Sequence, residues 1–210
     1  SLQMKGSAFM KKKLLMAALS IAMAFAAAAP AFADGLIDQK SASGSEKIGI
    51  ISTALNNVGF NARMNCAGNS SSNYNNRNVD LYYIVQYSND QTWRVVTAPG
   101  NNRYYIESLT TEAYKNIYAL NIYRYNSNYG NCDIMKLSGN EYDASIRYLA
   151  ISDGEPFSYG FTCALQHYYY PTYFVGATRN GVGPLKCDVR WLASSANDVY
   201  CQWTHVFNHS

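Results

Sequence analysis

Leu185-Lys186-Cys187-Asp188-Val189-Arg190-Trp191 and Val199-Tyr200-Cys201-Gln202-Trp203-Thr204-His205-Val206-Phe207 are the two stretches on which the fold reading turns. In the first, Leu185, Cys187, Val189 and Trp191 alternate with Lys186, Asp188 and Arg190, the period-2 pattern of a half-buried strand. In the second, Val199, Cys201, Trp203 and Phe207 share one face, and the residues between the stretches, 193–198, are turn-forming. Folded about Ser194, such a hairpin sets Cys187 opposite Cys201, Val189 opposite Val199 and Leu185 opposite Trp203. Directly opposed Cβ atoms lie about 4.5–5.5 Å apart, close to the roughly 3.5–4.5 Å of a disulfide. The pattern therefore predicts a Cys187–Cys201 disulfide, and closing a loop of this size contributes about 3 kcal/mol in the chain-entropy model.

Upstream, further strands are expected. Residues 79–87, 92–97, 103–107, 117–125, 132–137 and part of 157–170 are rich in β-forming side chains and are separated by turn signals such as Ser88-Asn89-Asp90 and Pro99-Gly100. Residues 142–151 fit helix and strand equally. Ile48, Ile51, Leu55 and Val58, spaced three, four and three, predict an amphipathic helix over 46–58 that Gly59 ends. The expected fold class is α+β: a mainly antiparallel sheet, one amphipathic helix near the mature N-terminus, and a single disulfide-containing domain. No internal repeat is evident at a fixed period.

Residues 1–33 read differently from the rest. Lys11-Lys12-Lys13, an apolar run from Leu14 to Ala29, and Ala31-Phe32-Ala33 are the three parts of a secretory signal peptide, with upstream residues before it. The run is shorter than the roughly 20 residues needed to span a bilayer, so no stable membrane span is expected in the mature chain. Residues 34–210 then form one secreted domain, periplasmic or extracellular. Without Lys5 and Lys11–Lys13 the net charge of +3 becomes −1, because 13 basic residues face 14 acidic ones. The remaining cations are scattered singly, which excludes the clustered Lys/Arg surface that nucleic acid requires. Five cysteines, Cys66, Cys132, Cys163, Cys187 and Cys201, in an oxidising compartment suggest disulfides, and an odd count leaves one over.

Linear catalytic motifs are missing. Asn65-Cys66-Ala67-Gly68 resembles, over four residues, the start of secreted cell-wall peptidases, but the Asn/Ser run after it does not begin the apolar helix found there. Cys201, His205 and His209 are four apart, yet their surroundings are strand-like, so neither a metal site nor a cofactor is expected. The distinctive resource is aromatic: 19 Tyr, with Tyr168-Tyr169-Tyr170-Pro171-Thr172-Tyr173 the densest cluster, beside 21 Asn. Successive strand residues point to opposite faces, so three consecutive tyrosines must expose at least one. An exposed tyrosine offers an apolar ring with a polar tip, the chemistry of recognition surfaces. The sequence thus suggests a secreted, non-enzymatic binding or surface-interaction protein. Its Tyr/Asn-rich face (Tyr168, Tyr169, Tyr170 and Tyr173) would meet a glycan, peptide or protein, with oligomeric state open. A secreted hydrolase using acids or His205 is the alternative, and a small outer-membrane barrel the third.

Overall fold

Among the described residues twelve short strands, none longer than seven residues, pair antiparallel to one another. A computed structural model of the chain describes residues 47–66, 75–85, 88–110, 117–122, 130–138, 142–154, 157–178 and 187–207; the expected signal peptide lies outside them. The strands are β1 (Ile48–Ser52), β2 (Ala62–Cys66), β3 (Arg77–Tyr83), β4 (Trp93–Thr97), β5 (Tyr104–Ser108) and β6 (Tyr118–Ile122). They continue as β7 (Gly130–Lys136), β8 (Ile146–Ala150), β9 (Thr162–His167), β10 (Tyr173–Thr178), β11 (Asp188–Ala193) and β12 (Gln202–Phe207).

Six strands close on themselves, each antiparallel to its neighbours: β1–β12–β9–β8–β5–β4 and back to β1. The other six are three hairpins, β2–β3, β6–β7 and β10–β11. They cap one end of the ring by pairing in a triangle through β3–β7, β7–β11 and β11–β3. A closed ring leaves few bare edges. The registers reveal three four-strand units, β1–β4, β5–β8 and β9–β12. Ile48 faces Trp93, Tyr104 faces Ile146 and Cys163 faces Trp203, at matching places in the three units. No repeat was legible in the sequence because only a few matched residues are alike, and connections of unequal length separate them.

The ring is filled, not hollow. Ile50, Ile106 and Leu165 occupy matched inward positions with Trp93, Ile146 and Trp203, and all six are fully buried. Each such side chain contributes roughly 1.5–3 kcal/mol. Two tryptophans also tie ring to cap. Trp93 Nε1 donates to the Met64 carbonyl at 3.0 Å and Trp203 Nε1 to the Val175 carbonyl at 2.8 Å, and those two carbonyls are themselves matched positions. The cap's outer face carries a second matched pair. Asn65 Nδ2 donates to Asp80 Oδ1, and Asn121 Nδ2 to Asp133 Oδ1, both at 2.8 Å; the third unit has Gly176 facing Arg190 there.

Four expectations are corrected. The helix over 46–58 is a strand, Ile48–Ser52, followed by a single turn, α1 (Thr53–Asn56). All five residues of β1 are buried, and a strand buried on both faces shows a continuous apolar run that periodicity cannot tell from a helix. Gly59 does end the turn, at φ +84°. The fold is therefore mainly antiparallel β, with one short helix instead of an α+β partition. The 185–207 hairpin does not form: β11 pairs with β10, and β12 with β1 and β9. Cys187 and Cys201 accordingly do not face each other across a hairpin, and no disulfide joins them or any of the five cysteines, all of which are buried. Finally, strands of five to seven residues around an apolar filling are the reverse of an outer-membrane barrel, whose strands need about 9–11 residues and whose apolar face points outward.

Candidate ligand-binding site

The predicted aromatic cluster lies where β9 ends and the chain turns back into β10. His167 closes β9, and its Nδ1 accepts two backbone N–H groups, from Tyr169 at 3.1 Å and Tyr170 at 3.2 Å. That double acceptance assigns the ring proton to Nε2. The turn is fastened again by Gln166 Nε2 donating to the Pro171 carbonyl at 2.8 Å and by Tyr173 N–H donating to the Tyr170 carbonyl at 2.9 Å. With its backbone held at both ends, this short connection keeps its rings in fixed directions.

The rings then divide. Tyr170 is 37% exposed, while Tyr168, Tyr169 and Tyr173 are half-buried. Tyr173 meets Trp191 edge-on with centroids 4.4 Å apart. Trp191 can lie there because its cross-strand partner is Gly130, where a Cβ would fall 1.0 Å from the indole nitrogen. Ile122, His167, Tyr170, Tyr173 and Trp191 line a slot too narrow for a water molecule.

On the other side of the turn, rings and guanidinium groups alternate. Arg147 Cζ stands 5.1 Å from the Tyr168 centroid. Arg103 Cζ stands 5.8 Å from Tyr168 and 5.5 Å from Tyr169. Tyr169 in turn packs on Tyr142, with centroids 4.5 Å apart, and Tyr142 is 58% exposed. Cation–π contacts of this kind contribute about 0.5–1 kcal/mol when exposed and more when desolvated. Arg103 is buried and held by all three of its nitrogens: Nε donates to Ser145 Oγ at 2.8 Å, Nη1 to the Pro99 carbonyl at 3.0 Å and Nη2 to Tyr105 Oη at 3.2 Å. It is a scaffold for the tyrosines, not a ligand group.

All four predicted tyrosines thus fall in one surface region. The sequence reading missed Tyr142, His167, Arg103 and Arg147, for which no spacing rule exists, since β5 and β8 reach the turn only through ring closure. His205 lies elsewhere and is fully buried among Tyr148, Phe157 and Phe161. Burial holds its imidazole down to about 4, against a backbone hydrogen bond at Phe157 that works the other way. Cys163 Sγ lies 3.9 Å from its Nε2, but burial lifts that thiol well above its usual range, so the pair is neutral and no nucleophile forms. Among the described residues no group of three or more His, Cys, Asp or Glu is gathered as a metal would need, and no helix is long and apolar enough to cross a membrane.

No protein-family model matches this chain, and no curated protein matches it in sequence. Solved structures do match in shape. An SDF2-like protein from Arabidopsis thaliana aligns with TM-score 0.54 at 10% identity, over 76% of this chain and 91% of that one. The fold is a β-trefoil. The Polyporus squamosus lectin, bound to a human-type influenza-binding epitope, aligns with TM-score 0.52 at 13% identity, over 78% of this chain and 49% of the lectin. The Rhizoctonia solani agglutinin gives TM-score 0.51 at 8% identity, over 77% and 94%. At such identities the likeness carries the trefoil architecture alone.

Proposed function

We propose that this trefoil is a non-enzymatic saccharide-binding protein, exported after removal of residues 1–33, with residues 34–210 as its single domain. The site is the face built by Tyr168, Tyr169, Tyr170 and Tyr173 with Tyr142. One observation carries the reading: two exposed rings, Tyr170 and Tyr142, flank a turn whose backbone is fastened by His167 and Gln166. A sugar presents an apolar C–H face and a hydroxyl rim, and a rigid amphipathic ring meets both at low entropic cost. Two of the proteins similar in fold are a lectin and an agglutinin, which is compatible with the same use here. The basic, apolar and Ala-Phe-Ala segments at 11–33 support export.

The hydrolytic alternative draws nothing from His205, which no solvent reaches. A peptide or protein partner has one observation in its favour: Val58, Phe60, Tyr82, Tyr83, Ile84 and Val85 are exposed at one end of the β2–β3 hairpin, and contiguous apolar surface usually marks an interaction.

A saccharide array probed with the purified mature chain tests the proposal. Binding is expected, and Tyr170→Ala and Tyr142→Ala should each weaken it about tenfold, the usual cost of removing an interfacial aromatic anchor. An array with no saccharide bound, or binding untouched by both changes, refutes it.

A further inference from the structure

We propose, resting on the saccharide reading above, that the ligand is an acidic saccharide whose carboxylate docks on Arg147. The threefold repeat makes the case. Arg94 on β4, Arg147 on β8 and Thr204 on β12 occupy matched positions, opposite Glu107, Gln166 and Ile51 respectively. In the first unit the cation has its own acid, Arg94 Nη1 lying 3.9 Å from Glu107 Oε2. In the second unit the matching acid is replaced by the amide of Gln166, and that amide is occupied with the Pro171 carbonyl at 2.8 Å. Arg147 therefore keeps a positive charge at a place where, among the described residues, no carboxylate pairs with it.

Its surroundings prepare that charge for an outside partner. Arg147 is half-buried, and among the described residues its guanidinium meets the Tyr168 ring and neither a carboxylate nor a carbonyl. Its Nε is buried with no hydrogen-bond partner. Arg63, Arg103 and Arg190, by contrast, each reach a carbonyl or an acid. Stacking on Tyr168 engages the flat face of the guanidinium. Its N–H groups radiate in the plane, and the two Nη groups, which are not buried as Nε is, remain available as a fork that matches a carboxylate two-to-two. Hydroxyls of a neutral sugar could accept from the same N–H groups but would leave the charge unmatched. Tyr168 continues through Tyr169 to Tyr142, so a ligand carboxylate on Arg147 directs the attached sugar along the exposed rings.

The test is calorimetric titration with matched pairs: sialyllactose against lactose, and tetragalacturonate against its carboxyl-reduced counterpart. In at least one pair the acidic member should bind about tenfold or more tightly, and the gap should close as salt is raised to about 0.3 M, where screening shortens to a few ångströms. Arg147→Gln should bring the acidic member down to the affinity of the neutral one, and Arg147→Lys should restore part of the difference. The salt series on the unmodified protein keeps the question decidable even if Arg147→Gln disturbs the fold. Equal binding of both members, a preference that survives Arg147→Gln, or binding confined to neutral saccharides overturns this inference and leaves the saccharide site standing. No binding to any saccharide overturns both.

Discussion

The first and third units of the trefoil latch ring to cap with a tryptophan; the middle unit does not. Trp93 and Trp203 each place a large ring in the core and an N–H on a cap carbonyl, whereas Ile146 at the matched position only fills space. The middle unit is secured instead by polar contacts at its rim: Arg103 on Ser145, Pro99 and Tyr105. One backbone plan therefore accepts two kinds of fastening. The unit without the indole latch is also the one that contributes Arg103, Arg147 and Tyr142 to the tyrosine face.

The comparison can be broken most severely at the latch. Trp203→Ala should cost about 3–5 kcal/mol, the usual penalty for emptying a large aromatic site, while Ile146→Val should cost only about 0.5–1.5 kcal/mol; denaturant midpoints at constant slope measure both. Trp203→Phe separates ring from hydrogen bond. It keeps most of the volume and orphans the Val175 carbonyl, so about 1–3 kcal/mol is expected. If Trp203→Phe and Ile146→Val cost the same, the indole N–H contributes nothing and the distinction between units is only one of size.

Acid sharpens a second contrast, between ring and cap. His205 sits near 4 in the fold and about 6.5 when unfolded. Between those values only the unfolded chain takes the proton, so this residue makes stability fall as pH drops from about 6.5 to 4. Asp133 runs the other way. Burial lifts its carboxyl to about 6 despite the hydrogen bond from Asn121, against about 3.9 unfolded. The fold binds that proton first, so stability rises as pH drops from about 6 to 3.9. The two effects, each on the order of 3 kcal/mol, oppose one another across nearly the same window. Asp133→Asn should make the protein more acid-sensitive, and His205→Phe less so, in melts compared at pH 7 and pH 4.5. Parallel curves for both variants would show that neither group titrates as its surroundings dictate.

Thiol chemistry gives a smaller, all-or-none reading. Burial lifts Cys66 and Cys201 to about 12, and all five sulfurs are buried. The native protein should resist alkylation at neutral pH, and five thiols should react once it is unfolded. Fewer than five would mean a bridge absent from this arrangement. The smallest effect is expected at Arg94→Gln. Its pair with Glu107 is partly exposed, so about 0.2–1 kcal/mol of stability is at stake and saccharide affinity should not move. A loss of acidic-saccharide binding there would deny the difference drawn between Arg94 and Arg147.

Much of this was visible in one dimension. β-Forming composition between turn signals marked β4, β5 and β7 to within two residues. Three consecutive tyrosines required that one be exposed, and Tyr170 is, though from a turn and not from a strand. Periodicity failed for β1, which is buried throughout.

What the sequence by itself determined, then, is local: which segments extend, where they turn and which cluster holds the rings. Which strand lies beside which was decided by closure, since each extended segment could satisfy its hydrogen bonds with several partners and only the three-unit ring satisfies nearly all at once. The 185–207 ribbon shows the consequence. Its facing cysteines made a sound local pair, yet β12 has its place in the ring between β1 and β9, and β11 in the cap. The same long-range choice carries Arg103 and Arg147 to the tyrosines, because contacts across 21 to 66 residues of chain follow from topology and leave no periodic trace.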